Sequence, residues 1–175
     1  MIKKYYQPFP TGDSKSGGYL ILDEAGDVNN PESLVMTLVN GDYRPYEILN
    51  IGTCICEEWK NTIEEFIDKD SGINFIPVQT ISKEYGNRTY YLVKFNHNYD
   101  LIDYKHSKVL DNPRRITVPV LQYEKVKDLN LFRIPGTIYD FVISAKLLRK
   151  IKSKKLSYST VFEPVWAISH DDPAY

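Results

Sequence analysis

The chain runs through one pattern twice. Residues 53–78 read as a short apolar strand, a helix and a second strand closing on Phe75, Ile76, Pro77 and Val78. Residues 141–165 repeat that order and close on Phe162, Glu163, Pro164 and Val165. Trp59 and Ile63 precede Leu147 and Ile151 by one constant spacing, and Phe75, Pro77 and Val78 precede Phe162, Pro164 and Val165 by a spacing one residue shorter. An aromatic–Arg pair also precedes each unit, at Tyr43-Arg44 and Phe132-Arg133. A repeat of this kind predicts an α+β fold, with a largely antiparallel sheet and two main helices, built from two similar strand–helix–strand halves. The chain reads as a single domain, 1–175, with subdomain halves 1–85 and 86–175 meeting at the turn signal Glu84, Tyr85, Gly86, Asn87.

Apolar periodicity places the elements. Trp59, Ile63, Phe66 and Ile67 recur at spacings of four and three, which predicts a helix over 56–69 stopped by Asp70, Ser71 and Gly72. Leu147, Leu148 and Ile151 give the buried stripe of a second helix over 144–155, with Ser144 as its N-cap. Strands are expected at 19–22, 34–39, 46–51, 73–81, 89–95, 131–134, 138–143 and 158–168, and at 116–123 with an interruption at Pro119. Pro77 predicts an edge or a bulge in its strand. Residues 1–18, with Pro8, Pro10, Gly12, Gly17 and Gly18, read as an extended, loop-rich lead-in. Turns are expected at 23–33, 40–42 and 111–115, and fraying at 169–175.

A chain of this length buries roughly 70% of its unfolded surface and needs no covalent staples. The net charge of −1 gives no global pull toward nucleic acid or anionic lipid. Aromatic residues are dominated by 14 Tyr against 7 Phe and 2 Trp, a composition that suits half-buried sheet faces and recognition surfaces alike. No apolar run approaches the ~20 residues of a membrane span. The first residues carry charge without a following apolar stretch, so a cytoplasmic protein is expected. Cys54 and Cys56, two apart on one strand face, are expected to be reduced, because so short a loop closes poorly as a disulfide and no second ligand pair is spaced for a metal. No cofactor is expected.

The two helices differ in charge. Across 57–70, Glu57, Glu58, Glu64, Glu65, Asp68 and Asp70 outnumber Lys60 and Lys69; across 144–155, Lys146, Arg149, Lys150, Lys152, Lys154 and Lys155 stand without an acid. Such helices serve as solvated faces aligned with the helix dipole, or as charged docking surfaces. A second polar cluster holds His97, Asp100, Asp103 and His106. A metal or acid–base site can be drawn from it, but its spacing matches no established ligand motif. The sequence contains no Gly-x-Ser-x-Gly, phosphate-binding glycine loop or His-Glu-x-x-His.

Short motifs in the second half carry a family resemblance. They are Tyr90, Tyr91, Leu92, Val93, Lys94, Phe95, Asn96; then Leu101, Ile102, Asp103 through Ser107; then Leu131, Phe132, Arg133, Ile134; then Phe141 through Leu147; and finally Phe162, Glu163, Pro164, Val165. Over 88–165 the chain resembles the immunity proteins of bacterial polymorphic-toxin and contact-dependent competition systems, the eleventh-numbered immunity family and its relatives. It departs at Ile102, where that family often has Ala, and its first forty residues offer nothing to align. The resemblance implies a non-catalytic antitoxin that neutralises a cognate toxin domain encoded upstream by occluding its active site. Charge and exposure then nominate Glu57, Glu58, Glu64 and Glu65 as the toxin-binding face, with Tyr99, Asp100 and Asp103 as second choice. Membrane and nucleic-acid partners are disfavoured, and homo-oligomerisation is left open. The rival readings are an enzyme using the segment from His97 to His106, or an anion or nucleic-acid binder using the basic helix 146–155.

Overall fold

The computed structural model describes residues 2–11, 19–22, 30, 33–39, 41–49, 52–110, 116–134 and 141–169. Of the turns expected at 23–33, 40–42 and 111–115 and the fraying expected at 169–175, residues 23–29, 31–32, 40, 111–115 and 170–175 lie outside the described residues, as do 12–18 of the lead-in, 50–51 of the strand expected at 46–51 and 138–140 of the strand expected at 138–143. The fold is mixed α+β. Strands β1 (Ile2–Pro10), β2 (Tyr19–Leu22), β3 (Val35–Val39), β4 (Tyr46–Leu49) and β5 (Gly52–Cys56) lead into helix α1 (Glu57–Glu64). Then come β6 (Ile73–Ile81), β7 (Arg88–Phe95), β8 (Lys108–Val109), β9 (Ile116–Val118) and β10 (Val120–Gln122). Helix α2 (Tyr123–Val126), β11 (Leu131–Phe132), β12 (Val142–Ser144), α3 (Ala145–Ser153) and β13 (Thr160–Ile168) complete the order. Three helices are therefore described where two were expected, the extra one being the single turn of α2. No described helix is long and apolar enough to cross a membrane.

The strands form three sheets, ordered β10-β13-β1-β12-β11, β2-β3-β6-β7-β5-β4 and β8-β9. Among the described residues all ladders are antiparallel except β3–β6 and β10–β13. In the six-stranded sheet, Tyr90 of β7 lies opposite both Val78 of β6 and Cys56 of β5. In the five-stranded sheet, Tyr5 of β1 lies opposite both Val165 of β13 and Ser144 of β12. Cys56 and Ser144 are in turn the N-cap residues of α1 and α3. The turn at Glu84–Asn87 joins β6 and β7, which pair from Ile73–Phe95 to Thr80–Arg88, so it is a hairpin within one sheet. The two aromatic–Arg pairs hold different places. Phe132 lies in β11 opposite Val142, whereas Tyr43 precedes β4, and it is Tyr46 that stands opposite Ile55.

The loop-rich reading of the first residues is corrected: 2–10 form a nine-residue strand in the middle of a sheet. Prolines are tolerated there because, among the described residues, β12 pairs with β1 only at Tyr5 and Tyr6, leaving no described ladder at Pro8 and Pro10 on that side. The Pro8 carbonyl instead accepts the Tyr46 hydroxyl at 3.0 Å. Pro77 and Pro164 follow the same rule. Each stands just before its strand's parallel neighbour begins, at Gln79 and Trp166 respectively, on a stretch with the character of an edge.

Helix α1 stops at Glu64, earlier than its apolar spacing predicts. Phe66 donates its backbone N–H to the Ile63 carbonyl at 2.8 Å, tightening the last turn and swinging Phe66 and Ile67 off the helix. Helix α3 begins as expected: the Ser144 hydroxyl accepts from the Leu147 N–H at 3.2 Å. A central core joins the two large sheets across both helices, with Tyr46, Ile55, Trp59 and Ile63 packed among Phe141, Ile143, Leu147 and Ile151. Trp59, fully buried, stacks on Phe162 at 6.3 Å and donates its indole N–H to the Leu156 carbonyl at 2.7 Å.

Candidate functional site

The opposed charges of the two helices face each other. Glu65 meets Lys150 at 2.9 Å and Lys154 at 2.6 Å, and Lys154 also donates to the Thr62 hydroxyl at 3.1 Å. Lys154, then Lys150, hold the Glu65 carboxyl below its ordinary range. Glu64 pairs with Lys60 at 2.8 Å, one helical turn away. Half of the proposed acidic face is thus neutralised within the chain, and two of the basic residues of α3 with it. Glu57 and Glu58 remain in the first turn of α1, where negative charge suits the dipole.

The segment after β7 divides in two. His97, Tyr99 and Asp100 are exposed, and the rings of His97 and Tyr99 lie 5.9 Å apart. Leu101, Ile102 and Asp103 then turn inward, and Ile102 bridges to Leu121 of β10. Asp103 is only 5% exposed, which removes it from the candidate contact surface. Its carboxylate is used locally, accepting the Lys105 N–H at 3.1 Å and meeting His106 Nδ1 at 2.6 Å. The Ser107 hydroxyl beside it donates to the Asp103 carbonyl at 2.7 Å and accepts the Val120 N–H at 2.8 Å. Asp103 is an organiser of this turn. Among the described residues no three His, Cys, Asp or Glu side chains converge on a metal position.

Cys56 is equally structural. Neither cysteine forms a disulfide, and burial pushes the Cys56 thiol up to about 12, leaving little thiolate at neutral pH.

A concavity lies where the end of α1, the start of β6, the end of β7 and the α2–β11 connection meet. It encloses about 570 Å³. Phe66, Ile73, Phe95, Leu131 and Phe132 make it apolar, and Asp68, Asp70 and Asp128 bring carboxylates to it from separate segments. None of these three carboxylates has an ion-pair partner among the described residues, whereas Lys127, beside Asp128, is held by Glu124 at 3.2 Å. The Ser71 hydroxyl, also in the wall, is buried without a hydrogen-bond partner. His97 and Tyr99 complete the lining, so the second-choice segment of the sequence reading contributes to this pocket.

Two residues hold the walls in place. Asn130 donates to the Phe66 carbonyl at 3.0 Å and accepts the Ser144 hydroxyl at 2.7 Å, tying the end of α1 to the start of α3. Gly72 adopts φ +69 beneath the His97 ring, where an added Cβ would collide with that ring. Asp68, Asp70, Asp128 and Asn130 carried no signal as a group, since they come from two stretches far apart in the chain. Neither family models nor curated proteins provide a match to this chain.

Proposed function

We propose that the chain is an immunity protein: a non-catalytic antitoxin that binds a cognate toxin domain and occludes its active site. The observation that carries this reading is the pocket between the two large sheets. Carboxylates without an ion-pair partner among the described residues, around an aromatic floor and beside the exposed ring of Tyr99, are the chemistry of an anchor point for a basic protein surface. The motif resemblance over 88–165 points the same way. The binding face on this reading centres on the pocket, Tyr99 and Asp100. Glu57 and Glu58 add long-range steering, Glu64 pairs within α1, and Glu65 serves the helix pair.

The test is co-expression with the toxin domain encoded immediately upstream, scored by cell survival and by a stoichiometric complex on size exclusion. Survival together with a complex is the expected result. A soluble, folded protein that neither rescues nor binds would overturn the reading.

The proposal extends to architecture: two similar units, with β3, β4, β5, β6 and β7 of one corresponding to β10, β11, β12, β13 and β1 of the other. Shared strand order, shared pairing sense and the matched neighbours of Tyr90 and Tyr5 support it. So does the match of Val35 opposite Gln79 with Val120 opposite Trp166. The pocket then lies at the junction of the units, a preferred place for binding sites. A circular permutant in which β1 follows β13 should retain the circular dichroism and cooperative melting of the parent; loss of both would count against the correspondence.

A further inference from the structure

We infer that the pocket at the α1–β6 turn receives an arginine side chain projected by the partner. This rests on the antitoxin reading and specifies the chemistry of its contact. Asp68, Asp70 and Asp128 bring three carboxylates without an ion-pair partner among the described residues, with Lys127 acting on Asp128 only through space, so the occupant is cationic. Phe66 and Phe95 are partly buried pocket walls, and His97 and Tyr99 extend the aromatic surface to the mouth. A guanidinium matches both features: its plane stacks on aromatic faces while its edge donates paired N–H groups to a carboxylate. A lysine ammonium is a compact point charge, more strongly hydrated, and uses the flat walls less well. The chain already places one cation on this aromatic group, since Lys146 Nζ lies 5.2 Å from the Phe66 ring centre. The volume of about 570 Å³ exceeds one side chain and accommodates the arginine with part of the loop that presents it.

Two experiments decide this. The first uses the protein alone and an acetylated, amidated Gly-Arg-Gly peptide, with its citrulline counterpart as the uncharged control. In the millimolar range the arginine peptide should shift the amide resonances of Gly72, His97 and Asn130. The citrulline peptide should not, and the double variant Asp68→Asn, Asp128→Asn should lose the response. No response to the arginine peptide, or an equal response to citrulline, overturns the inference. The second measures affinity for the upstream toxin domain. The same double variant should bind roughly tenfold to a hundredfold more weakly. The equally charge-reduced control Glu57→Gln, Glu58→Gln should lose far less. Equal losses in the two variants, or none in the first, overturn the inference while the antitoxin reading stands. Absence of any complex with the unaltered protein overturns the antitoxin reading itself, and leaves the peptide titration to decide the pocket's chemistry.

Discussion

Trp59 offers the sharpest test of how the two large sheets are joined. It leaves α1, stacks on Phe162 of β13, packs at 5.3 Å against Tyr46 of β4, and hydrogen-bonds the chain just beyond α3. Trp59→Phe keeps an aromatic ring but removes the indole N–H and part of the volume. The Leu156 carbonyl, partly shielded from water, then lacks its donor, at a cost of about 1–2 kcal/mol. The missing ring atoms leave a small cavity worth about another 1 kcal/mol. Trp59→Ala removes the whole anchor and should cost about 3–5 kcal/mol. Urea unfolding followed by far-ultraviolet circular dichroism measures both, and an unchanged denaturant slope assigns the shift to stability. A double-mutant cycle with Phe162→Leu should return a coupling of about 0.5–1.5 kcal/mol. A Trp59→Phe protein within about 0.5 kcal/mol of the parent would refute the reasoning, because that is the scale of an inconsequential surface change.

Ser144→Ala should cost about 1 kcal/mol by urea unfolding, through loss of the α3 cap, while Ser144→Thr largely retains it. Gly72→Ala should lower stability by about 1–3 kcal/mol through its positive φ and the collision with His97, and His97→Ala in the same chain should recover part of the loss. Cys56, with its thiol pushed up to about 12, should resist alkylation at mildly alkaline pH in the native state and react on unfolding; rapid native labelling would contradict its burial. Glu65 has a carboxyl held low by Lys154 and Lys150, so its contribution is present above the ordinary carboxylate pKa and is lost as pH falls through the depressed value. The melting difference between Glu65→Gln and the parent should therefore be small, as befits an exposed pair, and should vanish in acid.

Much of the fold was legible where periodicity and a cap agreed. The span of β6, the start of α3 at Ser144 and the break at Pro119 between β9 and β10 all follow from local pattern. β1 was hidden because Pro8 and Pro10 read as loop, and only the late start of β12 among the described residues explains why they are tolerated. The length of α1 was overread because Phe66 and Ile67 keep a helical spacing while belonging to a tight turn that lines the pocket. The charges of the helices were legible, but their mutual neutralisation through Glu65 depends on the packing of α1 against α3. Asp103 carried a local clue in His106 three residues later, the pair that ties it inward. The pocket had none, since its carboxylates become neighbours only when the α2–β11 connection meets the end of α1.

The central place of β1 also sets a timetable. All six strands of the larger sheet have left the ribosome once Phe95 has emerged, so that sheet can close while synthesis continues. β1 emerges before any of them, yet its partners are Val142–Ser144 and Thr160–Ile168, made near the end of the described chain. For most of translation it carries Tyr5 and Tyr6 with both edges unpaired, an open template for strands of neighbouring nascent chains. The protein is thus most exposed to misassembly during its manufacture, and the vulnerability ends only when β13 arrives to pair with β1 along its full length.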